Sequence, residues 1–137
     1  MRIRLVFLIV AALCGSAAAF SEADRGAVQS VIERQLDAFR ADDAATAYSF
    51  AAPEIMAMYP DQDIFMQMVQ RLYPQVYRPR SHAFGELSEK SGHLEQVVDI
   101  VDSEGAFWTA LYTLSRQPDG SWKITGCYLL KKPGEVA

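Results

Sequence analysis

At Ser81 the hydrophobic pattern of the chain changes its period, and no other feature restricts the fold as much. Before it, apolar residues recur at helical spacing. Val28, Val31, Ile32, Leu36 and Phe39 fall at intervals of three, four, seven and eight, with Glu22, Arg25, Gln29, Glu33, Arg34 and Arg40 mostly elsewhere. That pattern predicts an amphipathic helix over about residues 22–41. Ser21 supplies its N-cap and Asp24 an acid in the first turn. After Ser81 the runs HLEQVVDIVD, AFWTALYTLSR and SWKITGCYLL are rich in Val, Ile, Thr and aromatics. They predict strands. Helices followed by strands imply an α+β domain with the helices covering one face of a curved antiparallel sheet.

Turn chemistry orders the strands. Ser103-Glu104-Gly105 and Pro118-Asp119-Gly120 separate the last three, which predicts an antiparallel meander, with HAFGEL as a shorter first strand. Strict alternation would place Trp108, Ala110, Tyr112 and Leu114 on one face, and Trp122, Ile124, Gly126, Tyr128 and Leu130 on one face. In the helical half, Ala44 to Ala51 predicts a second, shorter helix, ended by Pro53 or followed by a new turn there. PEIMAMYP (53–60) fits helix or turn. Asp61 predicts the cap of a third helix with Phe65, Met68, Val69 and Leu72 on one face. It stops near Tyr73-Pro74, because the residue before a proline leaves the α region. YPQVYRPR then predicts an extended crossing, and the tail KKPGEVA a frayed end.

Residues 1–19 stand apart. Arg2 and Arg4 precede the apolar run LVFLIVAAL, and Ala17 and Ala19 fit an A-x-A cleavage pattern. This is the pattern of a secretory signal peptide, and the apolar run is short for a membrane-spanning helix. Residues 20–137 then form one domain, exported to the periplasm or beyond. Removing the leader takes away two arginines and no acid, so the formal charge of −4 becomes more negative by two. An acidic domain without clustered Lys and Arg is not built for nucleic acid, nor for an anionic membrane surface. Cys127 is the one thiol outside the leader, so no internal disulfide forms. It reads as a structural thiol inside a strand, with pairing to another chain open to it in an oxidising compartment.

Three phrases carry a resemblance to a known family: QLDAFRADDAATAYSFAAP (35–53), FMQMVQRLYPQVYRPRS (65–81) and DGSWKITGC (119–127). With their spacing they resemble the bacterial domain of unknown function 4864 family, within the nuclear transport factor 2-like, cystatin-like superfamily. The resemblance implies a cone-shaped fold with a pocket between sheet and helices, and frequent dimers. It implies no activity, since the superfamily includes isomerases, dehydratases, ligand binders and interaction domains, and fold does not choose among them.

The candidate site residues follow from residue chemistry. Asp42 and Asp43 form a doublet, but adjacent carboxylates seldom converge. A helix cap, with the second aspartate at the helix end or paired with Arg40, explains them better. Tyr73, Tyr77, Arg78, Arg80 and His82 concentrate positive charge and hydroxyl-bearing rings in an acidic chain. They fit a site for a carboxylate or other anion, or arginines paired with surface acids. Pro79 disturbs any alignment of Arg78, Arg80 and His82. His82 and Asp99 are the residues available as a general base, Asp99 only if its strand face looks toward the helices. Trp108, Tyr112, Trp122 and Tyr128 fit an aromatic pocket or a packed core. Met56, Met58, Met66 and Met68 read as core filling. His93, isolated before a strand, reads as an exposed edge residue. No cofactor motif is present, and His82 and His93 lack the spacing of a zinc site. The expected function is non-catalytic binding of a small molecule or a protein partner, through the cone or as a homodimer through the sheet. An isomerase- or dehydratase-like enzyme and a structural or assembly protein are the alternatives. An open apolar cavity without a buried acid or histidine favours binding, and one with such a group favours an enzyme.

Overall fold

The computed structural model describes residues 20–133; the signal-peptide reading of residues 1–19 and the end of the tail lie outside them. Five helices, α1 (Glu22–Arg40), α2 (Ala44–Ser49), α3 (Pro53–Met58), α4 (Gln62–Leu72) and α5 (Pro74–Tyr77), precede four strands, β1 (Ser81–Lys90), β2 (His93–Val101), β3 (Phe107–Arg116) and β4 (Trp122–Lys131). The strands pair antiparallel in chain order. The change of period at Ser81 is therefore the boundary between the helical layer and the sheet.

α1 begins on a capping box. Ser21 Oγ accepts from Asp24 N at 3.1 Å, and Asp24 returns a carboxylate to Ser21 N at 3.1 Å. Its buried stripe, Val28, Ile32, Leu36 and Phe39, packs in one core with Leu94, Val98 and Ile100 of β2 and Ala110, Tyr112 and Leu114 of β3. The prolines divide the remaining helical chain. Pro53 occupies the first turn of α3 and Pro74 that of α5, where a missing N–H costs nothing. Tyr73, ahead of Pro74, sits at φ −131°, ψ 48°, which ends α4. The segment after it is thus a helical turn and not the extended crossing the sequence suggests, because proline opens a helix as readily as it stops one. Leu72, expected on the packed face of α4, is its last residue and 64% exposed; Met66 takes that place in the core.

Irregularities shape the sheet. In β4 the register slips between the pairs Thr113↔Gly126 and Leu114↔Ile124, leaving Thr125 as an extra residue. Its Oγ1 lies 2.8 Å from Thr113 Oγ1. An extra residue reverses the alternation beyond it. Trp122 and Ile124 face the helices as expected, but past the bulge Cys127, opposite Tyr112, and Leu129, opposite Ala110, take over that face. Tyr128 and Leu130 turn outward, 68% and 65% exposed. The strict alternation expected for β4 is corrected accordingly. At the same point the α2–α3 link docks on the edge of β4. Ile124 N donates to Phe50 O, and Ala52 N to Ile124 O, both at 2.8 Å.

In β1 the register slips between Phe84 and Leu87. Gln96, fully buried, plugs this bulge: its Nε2 donates to Val97 O at 2.8 Å and Gly85 O at 3.1 Å, and its Oε1 accepts from Gln29 Nε2 at 3.2 Å. Gln96→Leu keeps the volume but strands these acceptors without a donor. We expect a loss of roughly 2 kcal/mol, the range for buried groups left unsatisfied, read as a lower midpoint in urea denaturation. An unchanged midpoint would show that the bulge holds without its plug.

Candidate functional site

The inward turn of β4 leaves a space between helices and sheet. A cavity of about 140 Å³ opens there. Gln35 and Phe39 of α1 form one wall, with Phe65, Met68 and Val69 of α4 and Val76 of α5. Tyr112, Ile124 and Cys127 form the sheet side, and Ile55, Met58 and Tyr59 the rim. Tyr48 Oη donates to Tyr59 O at 2.6 Å and fixes that rim to α2.

The wall is apolar with a few neutral polar groups. Among the described residues no Asp, Glu, His, Lys or Arg lines it. Tyr112 comes from the centre of the sheet and is 1% exposed. Burial holds its hydroxyl protonated, well above the usual phenol range, and the neighbouring Cys127 adds to that. Burial likewise pushes the Cys127 thiol up to about 12, so it is not a thiolate nucleophile at neutral pH. Tyr73 is raised too, chiefly by burial and then by Cys127, Tyr59 and Tyr128. Gln35, 4% exposed, donates Nε2 to Ala47 O at 3.1 Å, while its Oε1 accepts from no described residue.

Tyr112 Oη is a buried polar atom with no hydrogen-bond partner. The Cys127 thiol is close enough to interact with it, but a thiol is a weak partner and the two are not in good hydrogen-bond geometry. Gln75 Oε1 and Trp122 Nε1 are also unpartnered, but neither residue lines this cavity. An unpaired buried hydroxyl costs on the order of 1–3 kcal/mol.

Of the residues expected at a site, Tyr73 and Tyr112 line the cavity, and the others are engaged elsewhere. Arg78 stacks over the Tyr77 ring at 4.0 Å, pairs with Asp42 at 3.0 Å and donates to Phe39 O at the end of α1. The Tyr77 hydroxyl donates to the same Asp42 carboxylate, which it holds below the usual range together with Arg78. The partner of this arginine and tyrosine is thus an aspartate of the chain itself. Asp43 caps α2, accepting from Thr46 N at 3.1 Å. Arg40 pairs with Asp37, not with the doublet. Arg80 points away, to Ser103 O at 3.1 Å in the β2–β3 turn. His82 faces α1, 2.8 Å from Glu33. Asp99 lies on the outer face of β2, 2.6 Å from Lys132. Trp108 donates Nε1 to Asp102 at 2.9 Å, at the end of the sheet. Arg78, Arg80 and His82 therefore do not converge.

Gln35, Tyr59 and Cys127 are cavity residues that the sequence reading did not place at a site. For Gln35 a signal was available: an amide set within the apolar stripe of Ile32, Leu36 and Phe39. Met68, expected as core filling, lines the cavity, and Met58 at the rim is exposed.

The profile of a family described as "Domain of unknown function (DUF4864)" matches residues 21–137. Among curated proteins none matches the chain. The solved structure of an NTF2-like protein of unknown function from Shewanella baltica OS155 superposes with a TM-score of 0.56 at 12% identity, over 84% of this chain and 98% of that one. An NTF-2 like protein of unknown function from Silicibacter pomeroyi DSS-3 gives a TM-score of 0.56 at 15% identity, over 82% of this chain and 100% of that one. At these identities the likeness concerns the fold, which is nuclear transport factor 2-like.

If Tyr112 Oη serves no structural bond, its removal should not harm the fold. Tyr112→Phe is expected to leave the melting temperature unchanged or raise it by a few degrees, measured by calorimetry. A fall of several degrees would mean that the hydroxyl has a structural partner.

Proposed function

Because the chain belongs to the family described as domain of unknown function 4864, a membership that names no activity, we propose a function from the cavity: the domain binds an uncharged small molecule and does no chemistry on it. The observation that carries this reading is an open apolar cavity whose polar groups are neutral phenols, an amide and a protonated thiol. Burying an ion there without a countercharge would cost several kcal/mol. An isomerase or dehydratase needs a base within reach of bound substrate, and His82 and Asp99 are outside the lining. The leader read in residues 1–19 supports action in the periplasm.

A neutral fluorophore tests the reading. N-phenylnaphthylamine, its phenyl ring in the cavity and its naphthyl group against the apolar rim, should brighten on mixing with the wild-type domain. Met68→Trp and Ile55→Trp, which fill the cavity and its rim, should each suppress that signal while circular dichroism stays native. Equal brightening by all three proteins would remove the cavity from the account.

The outer sheet face favours a second reading, a homodimer. Phe107, Tyr128 and Leu130 stand exposed on it. Sedimentation velocity should then give a dimer that Tyr128→Lys dissociates. A wild-type monomer at high protein concentration would end this reading.

A further inference from the structure

We propose that the domain has a second small-molecule site, a groove between α1 and the start of β4 that binds an organic carboxylate. It goes beyond the reading of the cavity and does not depend on it. The groove is about 330 Å³, within the roughly 300–1,000 Å³ of small-molecule sites. It shares no lining residue with the cavity, and the α2–α3 link divides the two, with Phe50 on the groove and Ala51 on the cavity.

Charge points to the ligand. Arg34 of α1 and Lys123 of β4 both line the groove, and among the described residues no Asp or Glu does. Arg25, Arg40, Arg78 and Arg116 each have a carboxylate partner. Arg34 makes no ion pair among the described residues, because the acids nearest it along α1 are engaged elsewhere: Glu33 meets His82 and Asp37 meets Arg40. Lys123 Nζ donates to Ser49 O at 2.6 Å, and an ammonium has further donors to give.

The surrounding charges set the valence of the ligand. Asp119 lies beside the groove, accepting from Ser121 N at 2.9 Å and Ser121 Oγ at 2.6 Å. Those bonds, and then the Lys123 charge, hold its carboxyl below the usual range. Arg116 and Asp24, next to Trp122, neutralise each other. Two cations facing one acid leave a single positive charge, which complements a monoanion better than a phosphate dianion.

The rest of the lining asks for an apolar body. Val31, Phe50 and Trp122 border the same groove. Trp122 Nε1 is enclosed, so the indole offers its ring and not its N–H. An inorganic anion would use the cations and leave this surface wet. A carboxylate on an apolar body uses both, and its two oxygens match the planar fork of Arg34.

NMR titration of the nitrogen-labelled protein with benzoate, benzyl alcohol, acetate and phosphate tests the site. Benzoate should move the amide resonances of Ser30, Arg34 and Gly120 saturably and leave those of Tyr112 and Cys127 in place. Benzyl alcohol, which lacks the charge, should bind about tenfold more weakly, the equivalent of one hydrogen bond to a charged group. Acetate, which lacks the ring, and phosphate should also bind more weakly than benzoate. Arg34→Gln, a change at an exposed helix position, should weaken benzoate by about tenfold while circular dichroism stays native. Benzyl alcohol or phosphate binding as tightly as benzoate, undiminished binding by Arg34→Gln, or no saturable shift at all overturns the assignment. That failure leaves the cavity reading standing, since N-phenylnaphthylamine and Met68→Trp report on the cavity alone. Benzoate moving Tyr112 and Cys127 instead would overturn both the groove site and the neutral-guest reading.

Discussion

One extra residue in β4 governs the interior of this domain. If Thr125 paired in regular register, Tyr128 and Leu130 would point at the helices in place of Cys127 and Leu129. With Thr125 bulged, the thiol of Cys127 faces inward opposite Tyr112, and a thiol is far smaller than a phenol ring. The bulge also bends the strand, and the same stretch receives the α2–α3 link along its edge through two backbone bonds. Covering part of an open edge and building one wall of the cavity are thus one structural event. A bulge of this kind is a natural place for function, since it re-aims side chains without altering the order of the strands.

The polar chemistry of the domain is sorted by charge. Charged groups stay outside the cavity and hold pieces of the chain to each other. Asp42, with φ 53° in the left-handed region, gathers Tyr77 and Arg78 and so joins the end of α1 to α5. Arg78 also satisfies a terminal carbonyl of α1, where a cation is favourable. Arg80 steadies the β2–β3 turn, and Asp102 organises the same turn through Glu104 N, Ala106 N and Trp108 Nε1, each at 2.9 Å. The groups that remain inside are neutral at physiological pH. An interior so sorted holds no countercharge for an ion among the described residues that line it.

Much of the fold was legible in the sequence, and the reasons are local. The 3.6-residue period of α1, the capping box at Ser21, the cap at Asp43 and the glycine turns each encode their structure in a few neighbouring residues. What escaped was non-local. The bulge at Thr125 follows from how β4 pairs with β3, and no residue in ITGCYLL marks it beyond a glycine. The arginines of YRPR look free along the chain, because their acceptors, Phe39 O, Asp42 and Ser103 O, are more than twenty positions away. Asp99 could be assigned to a face only by the register. Tyr73 and Tyr112 were read among the candidate residues for their chemistry, while Gln35 was hidden because polar residues on amphipathic helices are ordinarily assigned to solvent.

The orphaned hydroxyl decides how the interior should be understood. Gln96 shows what a structural polar group in this core looks like: every bond it can make within reach is made. Tyr112 is as deeply buried, and among the described residues its hydroxyl has only the weak Cys127 thiol beside it. A phenylalanine would fill the same space without the desolvation cost, so packing alone does not account for the oxygen. Local inconsistency in an otherwise consistent sequence is concentrated at functional sites.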